Sequence, residues 1–236
     1  YVQSDLGDIF QSVKQDVQSG TPVLFSGTPC QVAGLKAYLR KDYENLLLVD
    51  LICHGVPSPK VWADYIEWQQ KRKKKLITQA EFRDRSLPWG KSAEALWFDK
   101  KKKKFDIYAK IFYSRNAQRK SCYECLFANT ERLSDITIGD FWGIENIKSE
   151  FRDDYGVSAV ILNSETGKRI WKEVNEQVEY FQCKIEDLMF RNPQLYQSAT
   201  RPVSMEIFWQ DYNKGFAFIA KKYGDNNLKG KLKRLI

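Results

Sequence analysis

Five cysteines and a single histidine are the residues of this 236-residue chain whose types first suggest metal binding and proton transfer: Cys30, Cys53, Cys122, Cys125, Cys183 and His54. Cys122-Tyr123-Glu124-Cys125 is a C-x-x-C. Two thiolates at that spacing can grip one metal centre while the amides between them point at the sulfurs. Redox dithiols share the spacing but sit at a strand-to-helix junction. Here the pair follows Arg119-Lys120-Ser121 and precedes Leu126-Phe127, a loop setting that speaks against a dithiol. Cys30 follows Ser26-Gly27-Thr28-Pro29, a turn between an apolar strand and a helix, where the helix N-terminus favours a thiolate. Cys53 closes the apolar run that begins at Leu46. Cys183 reads as a core residue on a strand from Val178.

The elements needed to position these residues follow from apolar runs and turn signals. A helix is expected from about Asp5 to Ser19, capped by Ser4 or Asp5 and ended by Gly20. Pro22 to Phe25 reads as a strand, Gln31 to Leu39 as a helix, and Leu46 to Ile52 as a second strand interrupted by Asp50. Helix, strand, helix, strand is the rhythm of a parallel α/β unit. Adjacent parallel strands deliver their C-terminal ends to one edge, so Cys30 and Cys53 should meet there. A C-x-x-C folded over that edge would bring four thiolates together. The ligands are separated by 23 and then 69 residues, with one true knuckle, which suits a buried cluster better than a structural zinc. The competing reading is that Cys30 and Cys53 are small buried hydrophobes.

Further along, a helix is expected from Lys60 to about Lys73, capped by Ser58. A β-rich insertion at about 76–112 follows, in which Leu96-Trp97-Phe98 and Phe105 to Tyr108 flank a lysine run as a hairpin. Ile136 to Ile138 and Val157 to Leu162 read as strands, and 164–175, 184–190 and 205–223 as helices. The expected fold class is α/β: a mixed, largely parallel sheet flanked by helices, with the β-rich insertion and C-terminal helices, as a single domain over 1–236.

Composition narrows the function classes. Hydrophobic residues make up 43% of the chain, and 14 Phe, 12 Tyr and 7 Trp argue for a packed core rather than disorder. No run of about 18 apolar residues suggests a membrane span. The net charge of +8 is concentrated in Lys71–Lys75, Lys100–Lys104 and Lys229–Arg234. These runs lack interleaved aromatic residues, so solvated helix ends and a hairpin turn are expected rather than a nucleic-acid surface. An acidic redox partner or a phosphate-bearing cofactor would also suit the charge. With no secretory signal, a reducing cytoplasmic setting with free or metal-bound thiols is expected. The chain opens on Tyr1-Val2-Gln3-Ser4-Asp5 without an initiator Met and is expected to be part of a longer protein.

Four blocks carry a resemblance: Tyr1 to Asp5, Leu24-Phe25-Ser26-Gly27-Thr28-Pro29-Cys30-Gln31-Val32-Ala33-Gly34-Leu35, Asp50-Leu51-Ile52-Cys53-His54-Gly55-Val56-Pro57-Ser58 and Ser134-Asp135-Ile136-Thr137-Ile138-Gly139-Asp140-Phe141-Trp142-Gly143. Together with the C-x-x-C just before the last block, they resemble the coenzyme F420 hydrogenase/dehydrogenase beta-subunit family, in a bacterial-type form. The resemblance implies an oxidoreductase with a [4Fe–4S] cluster and FAD, passing electrons to F420 or another small-molecule hydride acceptor. It implies a ferredoxin-like electron partner, whether an upstream segment or a separate protein, and allows a homo-oligomer. By similarity the cluster ligands are Cys30, Cys53, Cys122 and Cys125. Some members of the family use an Asp where this chain has Phe127, and Asp140 is a weaker candidate. For the flavin, Ser26, Gly27 and Thr28 form the candidate phosphate turn, with Lys91 beside Trp89 and Gly90 as a further pocket residue. His54 is either a proton donor or an orienting residue of its Gly/Pro-rich turn. The alternative to an enzyme is an α/β scaffold with a four-cysteine structural zinc, associated with polysaccharide biosynthesis.

Overall fold

The computed structural model describes residues 4–84, 86–91 and 93–227. Tyr1–Gln3 of the first motif block and the basic run Lys229–Arg234 lie outside the described residues. In chain order the elements begin with α1 (Ile9–Gln18), β1 (Val23–Gly27), α2 (Pro29–Leu39), β2 (Leu46–Leu51) and α3 (Pro59–Lys73). They continue with β3 (Ile77–Glu81), β4 (Glu94–Phe98), β5 (Lys101–Phe105), α4 (Ile107–Tyr113), β6 (Ile136–Asp140) and α5 (Ile144–Ile147). The last are β7 (Ser158–Leu162), α6 (Glu165–Val174), α7 (Ile185–Met189), α8 (Met205–Tyr212) and α9 (Phe216–Lys222).

The chain divides into two compact units. One holds residues 4–54 and 125–198 and is built on a sheet of order β1-β2-β6-β7. The first three strands are parallel, with Val23–Gly27 registered against Leu46–Asp50 and Val49–Leu51 against Ile136–Ile138. β7 closes the sheet antiparallel to β6. This is the mixed, largely parallel sheet that the helix–strand rhythm predicts. Leu46, Leu48 and Phe25 alternate onto one face and pack under Val13 and Val17 of α1 and Val32, Leu35 and Leu39 of α2. The opening helix is shorter than expected: Asp5 Oδ1 accepts from the Gly7 amide at 3.0 Å, and this local turn delays helix entry to Ile9.

The other unit holds residues 55–124 and 199–227 among those described. Its antiparallel sheet, of order β3-β4-β5, lies within the expected β-rich stretch. The central strand β4 is buried, whereas the edge strand β5 is the lysine run, exposed as an edge that resists further pairing should be. Val61 and Tyr65 of α3, Leu96 and Phe98 of β4, Tyr108 and Ile111 of α4, and Phe208 and Ile219 of the last two helices share one core.

Two expectations fail here. Ile107-Tyr108 does not extend a strand but opens α4. Buried Glu94 accepts from the Tyr108 and Ala109 amides at 2.9 and 3.2 Å and so meets the unpaired donors of a helix start. The expected helix over 205–223 is split into α8 and α9 at Gly215, whose φ of 86° lies in the left-handed region.

Candidate functional site

The parallel register fixes which residues leave the sheet together. Gly27 pairs with Asp50 and Leu51 with Ile138, and the Ile52 amide donates to the Ile138 carbonyl at 2.9 Å. Cys30 after β1 and Cys53 after β2 therefore emerge at the same edge of this sheet.

Cys30 lies inside the first turn of α2, one residue past Pro29, and is exposed. Its Sγ is 3.1 Å from Thr28 Oγ1. The Thr28 amide donates to Gln31 Oε1 at 2.8 Å, and the Gln31 and Val32 amides donate to the Thr28 carbonyl. Pro29 has no N–H, so most donors at this helix start already have partners. Gly27 is required by the same arrangement, because a Cβ there would sit 3.0 Å from Gln31 Oε1 and 3.2 Å from Gln31 Cβ. Lys91, the other proposed flavin residue, belongs to the second unit, where it is exposed and its amide donates to the Pro88 carbonyl at 3.0 Å.

Cys53 and His54 follow β2 and are both half-buried. Cys125 is half-buried and opens the segment that leads to Arg132. Around that arginine lies a buried polar cluster that sequence reading did not single out. Arg132 Nη1 stands 3.6 Å from Asp50 Oδ2, with side-chain exposures of 2% and 1%. Asp50 Oδ1 accepts from the Thr137 hydroxyl at 2.5 Å, and Asn163 Nδ2 donates to Thr137 Oγ1 at 2.9 Å and Ser134 Oγ at 3.1 Å. Burial pushes the Asp50 carboxyl above its ordinary range, against the Thr137 hydroxyl, Arg132 and Ser134. The guanidinium is disfavoured by burial and favoured by Asp50, Cys53 and Cys125, which places both thiols within its electrostatic reach. The only hint in the sequence was a charged residue, Asp50, inside an otherwise apolar strand.

Cys122 sits in a short turn of the other unit, Lys120–Cys122, and there the Val56 amide donates to its Sγ at 3.4 Å. The 55–58 segment is held against 117–119: Pro57 bridges Gln118, Arg119 N donates to Val56 O at 2.9 Å, and Ser58 N donates to Ala117 O at 2.8 Å. Tyr123 OH donates to the Arg115 carbonyl at 2.5 Å and ties the turn down from within.

Cys183 departs from expectation. It is exposed, and residues 178–184 form no strand, so it is not a core residue. No disulfide joins any of the five cysteines. Among the described residues no group of three or more His, Cys, Asp or Glu side chains stands in metal-holding geometry. The fit to a thiolate-held cluster rests on donor chemistry within each unit instead: in the parallel-sheet unit half-buried Cys53 and Cys125 and buried N–H groups of Arg132 that lack partners among the described residues, and in the other unit half-buried Cys122 with an N–H aimed at its sulfur. Asp140 ends β6 and is half-buried, while Phe127 contributes its carbonyl to Arg132 Nη1 at 3.4 Å.

Residues 20–187 match the family described as the C terminus of the beta subunit of coenzyme F420 hydrogenase/dehydrogenase. No curated protein sequence matches the chain. A solved chain of the F420-reducing [NiFe] hydrogenase complex from Methanosarcina barkeri is similar at 17% identity with a TM-score of 0.46. The similarity covers 95% of this chain and 66% of that one.

Proposed function

Because the chain belongs to the coenzyme F420 hydrogenase/dehydrogenase beta-subunit family by a match over well more than half its length, we propose that it is the cluster- and flavin-bearing part of an iron–sulfur flavoprotein oxidoreductase. The observation that supports this most is the delivery of Cys30 and Cys53 to one sheet edge, with Cys53 and Cys125 both in reach of the buried Arg132. Cys30, Cys53, Cys122 and Cys125 would hold a [4Fe–4S] cluster. When bound, that cluster carries single electrons and FAD exchanges them for a hydride passed to an organic acceptor, F420 or another.

The protein's own contribution is to hold and tune. Val56 N–H donates to the Cys122 sulfur, and the unpartnered Arg132 N–H groups would be free to do the same for a thiolate ligand, which favours the charged ligand and raises a cluster's potential. Ser26, Gly27 and Thr28 would receive a flavin phosphate through the α2 dipole, with the Thr28 amide released from Gln31, and Lys91 would add a positive charge. His54, in the loop beyond β2, would donate a proton at the flavin or acceptor. The basic surface suits an acidic ferredoxin-like electron donor.

Replacing ligands one at a time tests the assignment. After anaerobic reconstitution, Cys30→Ser, Cys53→Ser, Cys122→Ser and Cys125→Ser are each expected to lose most bound iron, while Cys183→Ser keeps it. Equal iron retention in all five variants would remove the assignment.

A further inference from the structure

We propose that Arg132, with Asp50 as its counter-charge, is the positioning residue that sets the reduction potential of the thiolate-held centre. This rests on the iron–sulfur reading above. The pair is unusual for buried charges. Arg132 is almost fully enclosed, yet its contact with Asp50 is a single loose approach of 3.6 Å through Nη1. The same nitrogen reaches the Phe127 carbonyl at 3.4 Å. Among the described residues Nε and Nη2 have no hydrogen-bond partner. Leaving such donors unmet is costly, more so on a cation, so a buried guanidinium normally meets a carboxylate with its full fork.

Asp50 does not supply that fork. Its stronger bond is to the Thr137 hydroxyl, which Asn163 in turn holds. The other groups that act electrostatically on the guanidinium are the sulfurs of Cys53 and Cys125. A cation enclosed beside two cysteine sulfurs, which are thiolates once they ligate iron, is complementary through its two unused donor groups to an anionic sulfur cage.

One-electron reduction by the electron donor makes a four-thiolate [4Fe–4S] centre one unit more negative, with no bond made or broken. A neighbouring cation favours that reduced state and a neighbouring carboxylate disfavours it, both at low effective dielectric. The two members of the pair therefore act with opposite sign.

The test is a potentiometric titration of reconstituted wild type, Arg132→Gln, Arg132→Lys and Asp50→Asn, followed by absorption and electron paramagnetic resonance, with iron and sulfide measured on each sample. Arg132→Gln is expected to move the potential negative by at least tenfold in the reduction equilibrium, about 59 mV for one electron. Asp50→Asn, which can keep the Thr137 contact, is expected to move it positive, and Arg132→Lys to recover more than half of the Gln effect. Should Arg132→Gln fail to fold, the positive shift of Asp50→Asn carries the test. Potentials that do not move, or that move the same way in both variants while iron is retained, overturn this proposal and leave the iron–sulfur reading standing. A wild type that takes up no iron and sulfide overturns both.

Discussion

Glu94 shows how one buried side chain decides local structure. It is fully enclosed and accepts from the Tyr65 hydroxyl at 2.7 Å and from the Tyr108 and Ala109 amides, while Gln69 Nε2 donates to Tyr65 OH at 3.0 Å. Truncation in Glu94→Ala leaves three buried donors unmet, each worth about 1–3 kcal/mol, so a loss of about 3 kcal/mol or more is expected in denaturant unfolding. Burial raises the Glu94 carboxyl above its ordinary value of 4.5, against the hydrogen bonds from Tyr108, Tyr65 and Ala109. A carboxyl raised on folding contributes stability that is present below the unfolded pKa and lost as pH rises through the folded one. The wild type should therefore lose stability upward from about pH 4.5 by this route. Glu94→Gln, which does not ionise, should lack that slope in pH-dependent melts. Arg132 marks the limit of sequence reading at this scale. Glu131-Arg132-Leu133 has the composition of a surface turn, and its burial depends on Asp50, 82 residues earlier in the chain.

At the scale of elements, local pattern and tertiary demand agree in the parallel sheet and part company elsewhere. The apolar runs at Val23 and Leu46, punctuated by Gly20 and the Thr28-Pro29 turn, made β1, α2 and β2 legible because each element is specified by its own residues. α4 was hidden because Phe105-Asp106-Ile107-Tyr108 alternates like a strand, and the group that caps the helix lies on β4. Cys183 was misread because an aromatic-rich run resembles a strand, though among the described residues no strand pairs with it. The lysine strand β5 is held on one side by an acid. Asp84, 1% exposed, meets Lys102 at 3.0 Å and Lys104 at 3.2 Å and accepts from the Ser86 amide at 3.0 Å. Burial alone would raise its carboxyl, but the Ser86 amide and hydroxyl and the two lysines together hold it well below the ordinary range. Such a group contributes stability that is present above its unfolded pKa of about 3.9 and lost as pH falls toward the folded one. Asp84→Asn is expected to melt lower than wild type at pH 7 and to lose less on acidification below pH 4. Parallel melting curves for the two proteins would contradict this role.

For the whole molecule, family membership and the two compact units set the frame. Among the described residues no helix is long and apolar enough to cross a membrane. Part of the positive charge lies on the exposed edge strand β5 and in the last turn of α3. What the sequence made legible was the common sheet edge at which Cys30 and Cys53 emerge. The buried charge beside them could be found only from the fold. The central claim is that these sulfurs serve a cluster working with a flavin. It is tested most directly by an anaerobic absorption spectrum of the reconstituted protein, with iron, zinc, acid-labile sulfide and flavin assayed on the same sample. The account predicts a broad iron–sulfur shoulder, flavin bands and about four irons per chain, as a single four-thiolate cluster requires. A colourless protein holding one zinc, and refusing both iron–sulfur reconstitution and FAD, would contradict it.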